Sequence, residues 1–139
     1  MVKILLVEDD DVDAEAVRRG FAKARVDTPI YRASNGVQAL EQLRSPNSPL
    51  KDSPYIILLD LKMPQMNGIE FLDAVRNDQL LSKSIIFVLT TSNDSQDRTA
   101  AYDRFVAGYI TKSKAGVDFH DLIRMLDHYR RVVELPRSG

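Results

Sequence analysis

At 139 residues the chain has room for one domain built around one core. Its 19 Lys and Arg nearly cancel 20 Asp and Glu, and a formal charge of -1 supplies no net field to hold nucleic acid or an anionic membrane surface. Cysteine is absent, which excludes disulfides and thiolate metal centres, and no apolar run approaches the roughly 20 residues that span a bilayer, so a soluble, cytoplasmic protein is expected.

Residues 3–7 form a Leu- and β-branched run, a buried strand that ends at once in the acids Glu8, Asp9, Asp10 and Asp11. Ala14, Val17, Phe21 and Ala24 then recur at helical spacing, with Asp10 or Asp11 as N-cap and Asp11 and Asp13 read as first-turn acids that favour the helix dipole. Residues 29–33 read as a second strand, placed at an edge because Pro29 cannot donate to a ladder. Asn35 and Gly36 open a second helix with Val37, Leu40 and Leu43 inward, and a Pro- and Ser-rich loop over 45–54 closes it.

Residues 55–59 are apolar throughout, as a strand buried on both faces should be, and they deliver Asp60 at their end. Pro64, Asn67 and Gly68 make a turn into a third helix with Ile69, Leu72 and Val75 inward. Residues 84–89 are the fourth strand, ending at Thr90. Ser92 or Asn93 is expected to cap a fourth helix that runs to Val106 and stops at Gly108, with only Ala100, Ala101, Tyr102, Phe105 and Val106 to bury. Residues 109–111 are a short fifth strand ending at Lys112. A last helix over 117–133 carries Phe119, Leu122, Ile123, Leu126 and Val133, with Met125, Tyr129 and Val132 widening the stripe. His120 and His128 read as surface residues, and Arg124, Arg130, Arg131 and Arg137 make the tail mildly basic.

Strands alternating with helices predict an α/β fold, a doubly wound open parallel sheet whose strand C-termini share one edge. The polar residues arriving there are Glu8, Asp9, Asp60, Thr90 and Lys112. Converging carboxylates repel unless a cation sits among them, and oxygen ligands without His or Cys suit Mg²⁺. A carboxylate beside such an ion can attack phosphorus to form an acyl phosphate, with Lys112 and Thr90 sharing the charge of the phosphoryl oxygens.

Leu6-Val7-Glu8-Asp9, Leu59-Asp60-Leu61-Lys62-Met63-Pro64 with Asn67-Gly68, Leu89-Thr90 and Tyr109-Ile110-Thr111-Lys112 resemble, in order, the signatures of response-regulator receiver domains. The resemblance implies the flavodoxin-like (βα)5 fold with strand order 2-1-3-4-5, a receiver over 1–134 and a tail over 135–139. It implies a two-component regulator phosphorylated on Asp60 by a phosphohistidine of a sensor histidine kinase, a signalling protein rather than an enzyme that turns over a substrate. Mg²⁺ would be held by Asp9, Asp60 and the Lys62 backbone carbonyl, with Glu8 acting through water. Thr90 and Lys112 would contact the phosphoryl group, Thr90 and Tyr109 would form the switch, and Lys62 and Ser92 would flank the attacking water and tune dephosphorylation. Most receivers follow the lysine with a cis proline; here Ser113 stands in that place.

Leu89-Thr90-Thr91-Ser92, Tyr109 to Ser113, the long loop before the third strand and the C-terminal extension resemble more narrowly the single-domain regulators paired with cyanobacterial and bacterial phytochromes. That resemblance implies a homodimer through the last two helices and the tail, using Met125, Tyr129 and Val132, and output by protein contact. Two alternatives compete. A haloacid-dehalogenase-type phosphatase needs a second Asp where Lys62 stands, and a non-phosphorylated pseudo-receiver scaffold is disfavoured by the complete set of acids, Thr90 and Lys112.

Overall fold

The run Tyr55–Leu59 is buried along its whole length and forms the middle strand, β3, of a five-stranded parallel sheet in a computed structural model that describes residues 2–136. Residues 137–139, with Arg137 and the end of the expected tail, lie outside the described residues. Around β3 stand β1 (Lys3–Val7), β2 (Ile30–Ala33), β4 (Ile85–Thr90) and β5 (Gly108–Thr111) in the order β2-β1-β3-β4-β5. The flavodoxin-like topology and the edge position of the Pro29 strand are as expected from the sequence. The helices are α1 (Asp11–Lys23), α2 (Gly36–Arg44), α3 (Gly68–Arg76), α4 (Ser95–Asp103) and α5 (His120–Val132).

Strand residues alternate between two cores because successive side chains leave opposite faces of a sheet. Leu5, Val7, Ile57, Leu59, Ile86 and Val88 meet Ala39 and Leu40 of α2, Phe71, Leu72 and Val75 of α3 and Ala101 of α4. Ile4, Leu6, Ile56, Leu58, Phe87 and Leu89 meet Ala14, Val17 and Phe21 of α1 and Leu122, Ile123 and Leu126 of α5. Burying one such aliphatic side chain contributes about 1.5–3 kcal/mol, so the sheet is the rigid part of the molecule.

Several expectations about the helices are corrected. Val37 is exposed, because the inward face of α2 is set by Gly36, Ala39 and Leu40. The cap of α4 is Asp94, whose side chain accepts the Gln96 N–H, and neither Ser92 nor Asn93. That helix ends at Asp103, and the left-handed residue that stops it is Phe105 (φ 63°), while Gly108 already belongs to β5. Tyr102 and Phe105 are exposed, leaving Ala101 as the only buried residue within α4.

The last helix starts at His120 rather than at Val117. Asp118 (φ 54°) and Phe119 (φ 58°) are both left-handed, and the chain before α5 is a short 3-10 turn. The wide apolar stripe of α5 is mostly consumed internally: Met125 and Tyr129 pack on the sheet core, and the Tyr129 ring stands edge-on to Phe87 with centroids 5.1 Å apart. Val132, at 79% exposure, remains outside. His120 and His128 are exposed.

Candidate functional site

Main-chain ladder bonds bring the acids together. The Asp60 N–H donates to Val7 O (3.0 Å) and the Glu8 N–H to Ala33 O (3.0 Å), so each acid continues its strand by one residue and turns its side chain at the same sheet edge. Glu8 is 2% exposed and Asp60 7%, while Asp9 faces solvent. One oxygen from each of these three lies within 4.8 Å of the others. Behind them the chain turns tightly into α3, where Asn67 and Glu70 form a reciprocal capping box. A Cβ on Gly68 would stand 2.6 Å from Leu61 Cα and 2.8 Å from Asp60 O, so only glycine lets α3 start this close to the acid.

The Lys112 ammonium reaches into the same space from the end of β5. It donates to Glu8 Oε1 (2.8 Å), Asp13 Oδ2 (2.6 Å) and, at a longer 3.4 Å, to Asp60 Oδ2. Asp60 Oδ1 accepts the Lys62 N–H at 3.2 Å. Desolvation by burial, reinforced by the neighbouring Asp60, pushes the Glu8 carboxyl from 4.5 up to about 7 despite the Lys112 hydrogen bond. Burial opposes the charge on Lys112, but its bonds to Asp13 and Glu8 outweigh that and raise its pKa. Asp13 is thus a site residue and not a plain first-turn acid, a correction to its reading as helix-end chemistry. Among the described residues no peptide bond is cis, so Lys112–Ser113 is trans.

Thr90 is fully buried at the end of β4, and its Oγ1 accepts the Ser92 N–H at 3.3 Å. Ser92 O in turn accepts the Tyr109 hydroxyl at 3.0 Å, and the half-buried Tyr109 ring has the Arg98 guanidinium 5.9 Å from its centroid. Thr90, Ser92 and Tyr109 are therefore linked bond to bond. Lys62 Nζ lies 3.4 Å from Asp97 Oδ2, and the Ser92 hydroxyl donates to the same oxygen at 2.5 Å. The Ser92 bond, with Lys62, holds the Asp97 carboxyl below its usual range. Sequence reasoning missed Asp97, which looks like any acid in a helix's first turn; its position three residues past the Asp94 cap carries no mark of the contact.

The donor set at the acids is all oxygen, two of the three carboxylates are buried, and Glu8 is destabilised as an anion. These properties fit a hard divalent cation. The acids can hold such an ion, and the Lys112 ammonium beside Asp60 supplies a positive charge that would stabilise an anionic group there.

Known proteins carry the same pattern. Residues 4–126 match the model of the response regulator receiver domain. The response regulator Rcp1 of Synechocystis sp. (strain PCC 6803) is 31% identical over 97% of this chain and 93% of its own length. The crystal structure of the Mn²⁺-bound form of Rcp1 superposes with a TM-score of 0.82 at 31% identity, covering 97% of this chain and 98% of that one. The phosphorylated cyanobacterial phytochrome response regulator RcpA superposes with a TM-score of 0.83 at 29% identity, covering 96% and 97%. With the sheet order, the acid cluster and these likenesses in agreement, the chain belongs to the response regulator receiver family and is a two-component signalling protein.

Proposed function

We propose that Asp60 is the phosphoacceptor and that its phosphoryl donor is a phosphohistidine of a sensor histidine kinase of the phytochrome type. The observation that carries this is the buried Asp60 carboxylate at the tip of β3, with the Lys112 ammonium at 3.4 Å and two further carboxylates beside it. An Asp60 oxygen attacks phosphorus, a P–O bond forms, the N–P bond breaks, and the electron pair leaves with the donor imidazole, which takes up a proton. Asp9, Asp60 and the Lys62 carbonyl, with Glu8 acting through water, would hold Mg²⁺, which would supply charge neutralisation for the transferring oxygens. Lys112 turns toward the phosphoryl group as its second cation, and Thr90 donates its hydroxyl.

Output follows from the Thr90–Ser92–Tyr109 chain. Drawing Thr90 toward the new phosphoryl oxygens shifts the loop that carries Ser92, and with it the acceptor that holds the Tyr109 hydroxyl. The surface that changes is α4, β5 and α5, where Tyr102 and Val132 are exposed; a second copy of the chain bound there, with the tail, forms the proposed homodimer, checked by mass in solution before and after phosphorylation. The phytochrome assignment is supported by the relatives' names and is tested by a phosphotransfer profile against the sensor kinases of the same cell.

Acetyl phosphate with Mg²⁺ should label the wild-type protein and leave Asp60→Asn unlabelled. Full labelling of Asp60→Asn would overturn the assignment. Lys62→Ala should leave labelling capacity intact and change the lifetime of the acyl phosphate, because Lys62 lies two residues past Asp60 and its ammonium shares an Asp97 oxygen with the Ser92 hydroxyl.

A further inference from the structure

Lys112 and a divalent cation want the same carboxylates. Its ammonium donates to Glu8 at 2.8 Å and to Asp60 at 3.4 Å, and those two side chains also belong to the three-carboxylate cluster. When an ion takes that cluster, Lys112 loses its hold on both acids and is repelled by the new charge. Its shortest bond, 2.6 Å, goes instead to Asp13 on the first turn of α1, which stands outside the cluster. Asp13 is itself fixed: its N–H is held by the Asp10 cap at 3.2 Å, and its side chain is about two-thirds buried.

We infer that Asp13 is a positioning residue that keeps Lys112 within the site while Glu8 and Asp60 are given over to the metal. With Asp13 in place the ammonium has a partner that no metal removes, so it yields the cluster without swinging into solvent. With Asp13 neutral, Lys112 has only Glu8 and Asp60 to hold, and it competes with the ion for them. Asp13 would then favour metal binding without being a ligand, and it would do so only through Lys112. This inference rests on the reading of Glu8, Asp9 and Asp60 as the metal site, and it does not depend on whether Asp60 is phosphorylated.

The test is Mg²⁺ binding by titration calorimetry on the full chain, with no phosphoryl donor present. Loss of one charge-assisted hydrogen bond should let Lys112 compete more strongly, so Asp13→Asn should weaken Mg²⁺ binding about tenfold. In a Lys112→Met background the same substitution should cost less than about twofold, since no ammonium is left to position. Asp13→Glu should restore most of the affinity in the wild-type background, which separates positioning from a fault in folding. An equal loss in both backgrounds would mean plain long-range attraction between Asp13 and the ion, and it would overturn the inference. So would an unchanged affinity in Asp13→Asn. Failure of the wild-type protein to bind Mg²⁺ would overturn the metal assignment beneath it, and that appears before any substitution is made.

Discussion

Glu8 is held at the bottom of the site by its strand and not by its chemistry. Folding buries it, and burial favours its protonated form. Its folded pKa of about 7 lies above the 4.5 of an ordinary glutamate, so between those values the folded protein keeps a proton that the unfolded chain has released. The sign follows: the metal-free protein loses stability as pH rises from about 4.5 to about 7, by up to about 3 kcal/mol, and the loss levels off above that. The raised pKa of Lys112 acts only above its ordinary 10.5 and leaves this window alone. Urea unfolding in the presence of a chelator, at about pH 5 and about pH 8, should show the decline in the wild-type protein and a smaller one in Glu8→Gln. Identical pH profiles for the two would remove the burial argument. At this scale the sequence was legible where a residue ends a strand, since Glu8, Asp9, Asp60, Thr90 and Lys112 all arrive at the expected edge. It was not legible for Asp13 and Asp97. Both are acids in the first turn of a helix, where capping and dipole chemistry already account for them, and only the fold brings Lys112 to one and Lys62 and Ser92 to the other.

At the scale of elements, α4 is the lightly held part of the fold. Ala101 is its only buried residue, and its C-terminal end is secured mainly by polar contacts. Arg76, at the end of α3, donates to the carbonyls of Arg104 and Phe105 just after α4 and to those of Ser82 and Ser84 just before β4. One guanidinium thus ties together two loops, and Arg104 adds an ion pair to Asp73 of α3 at 2.7 Å. Arg76→Ala should lower stability by about 2–4 kcal/mol, because several partly buried carbonyls lose a charged donor together. It should also speed hydrogen exchange in α4 more than in α1, as measured residue by residue. Unchanged exchange in α4 would mean that its tether lies elsewhere. Strand positions were readable because a run such as 55–59 is apolar at every residue and leaves no second period to choose. Helix ends were less so: the left-handed turns at Phe105 and Phe119 are built from residues that seldom adopt that conformation, while Gly108, the natural candidate, lies in a strand.

For the whole molecule, two cores clamp one sheet, and the site lies where the sheet edge emerges between them. One layer contributes Asp13 from α1 and the other contributes Asp97 from α4, so the same edge senses both faces of the fold. The apolar surplus that the α5 sequence advertises is largely spent on the internal core, and the periodicity alone could not separate packing on the molecule's own sheet from packing on a partner. The link from the site toward that outer face runs through the loop after β4, and there the two contacts that join Thr90 to Tyr109 are made by the N–H and C=O of Ser92. Those are atoms that nearly every residue possesses. The Ser92 side chain is occupied separately, with Asp97. On the proposed reading, exchanging the side chain at position 92 would change the life of the acyl phosphate without cutting the main-chain connection to Tyr109, so how long a signal lasts and what it says would be set by different atoms of the same residue.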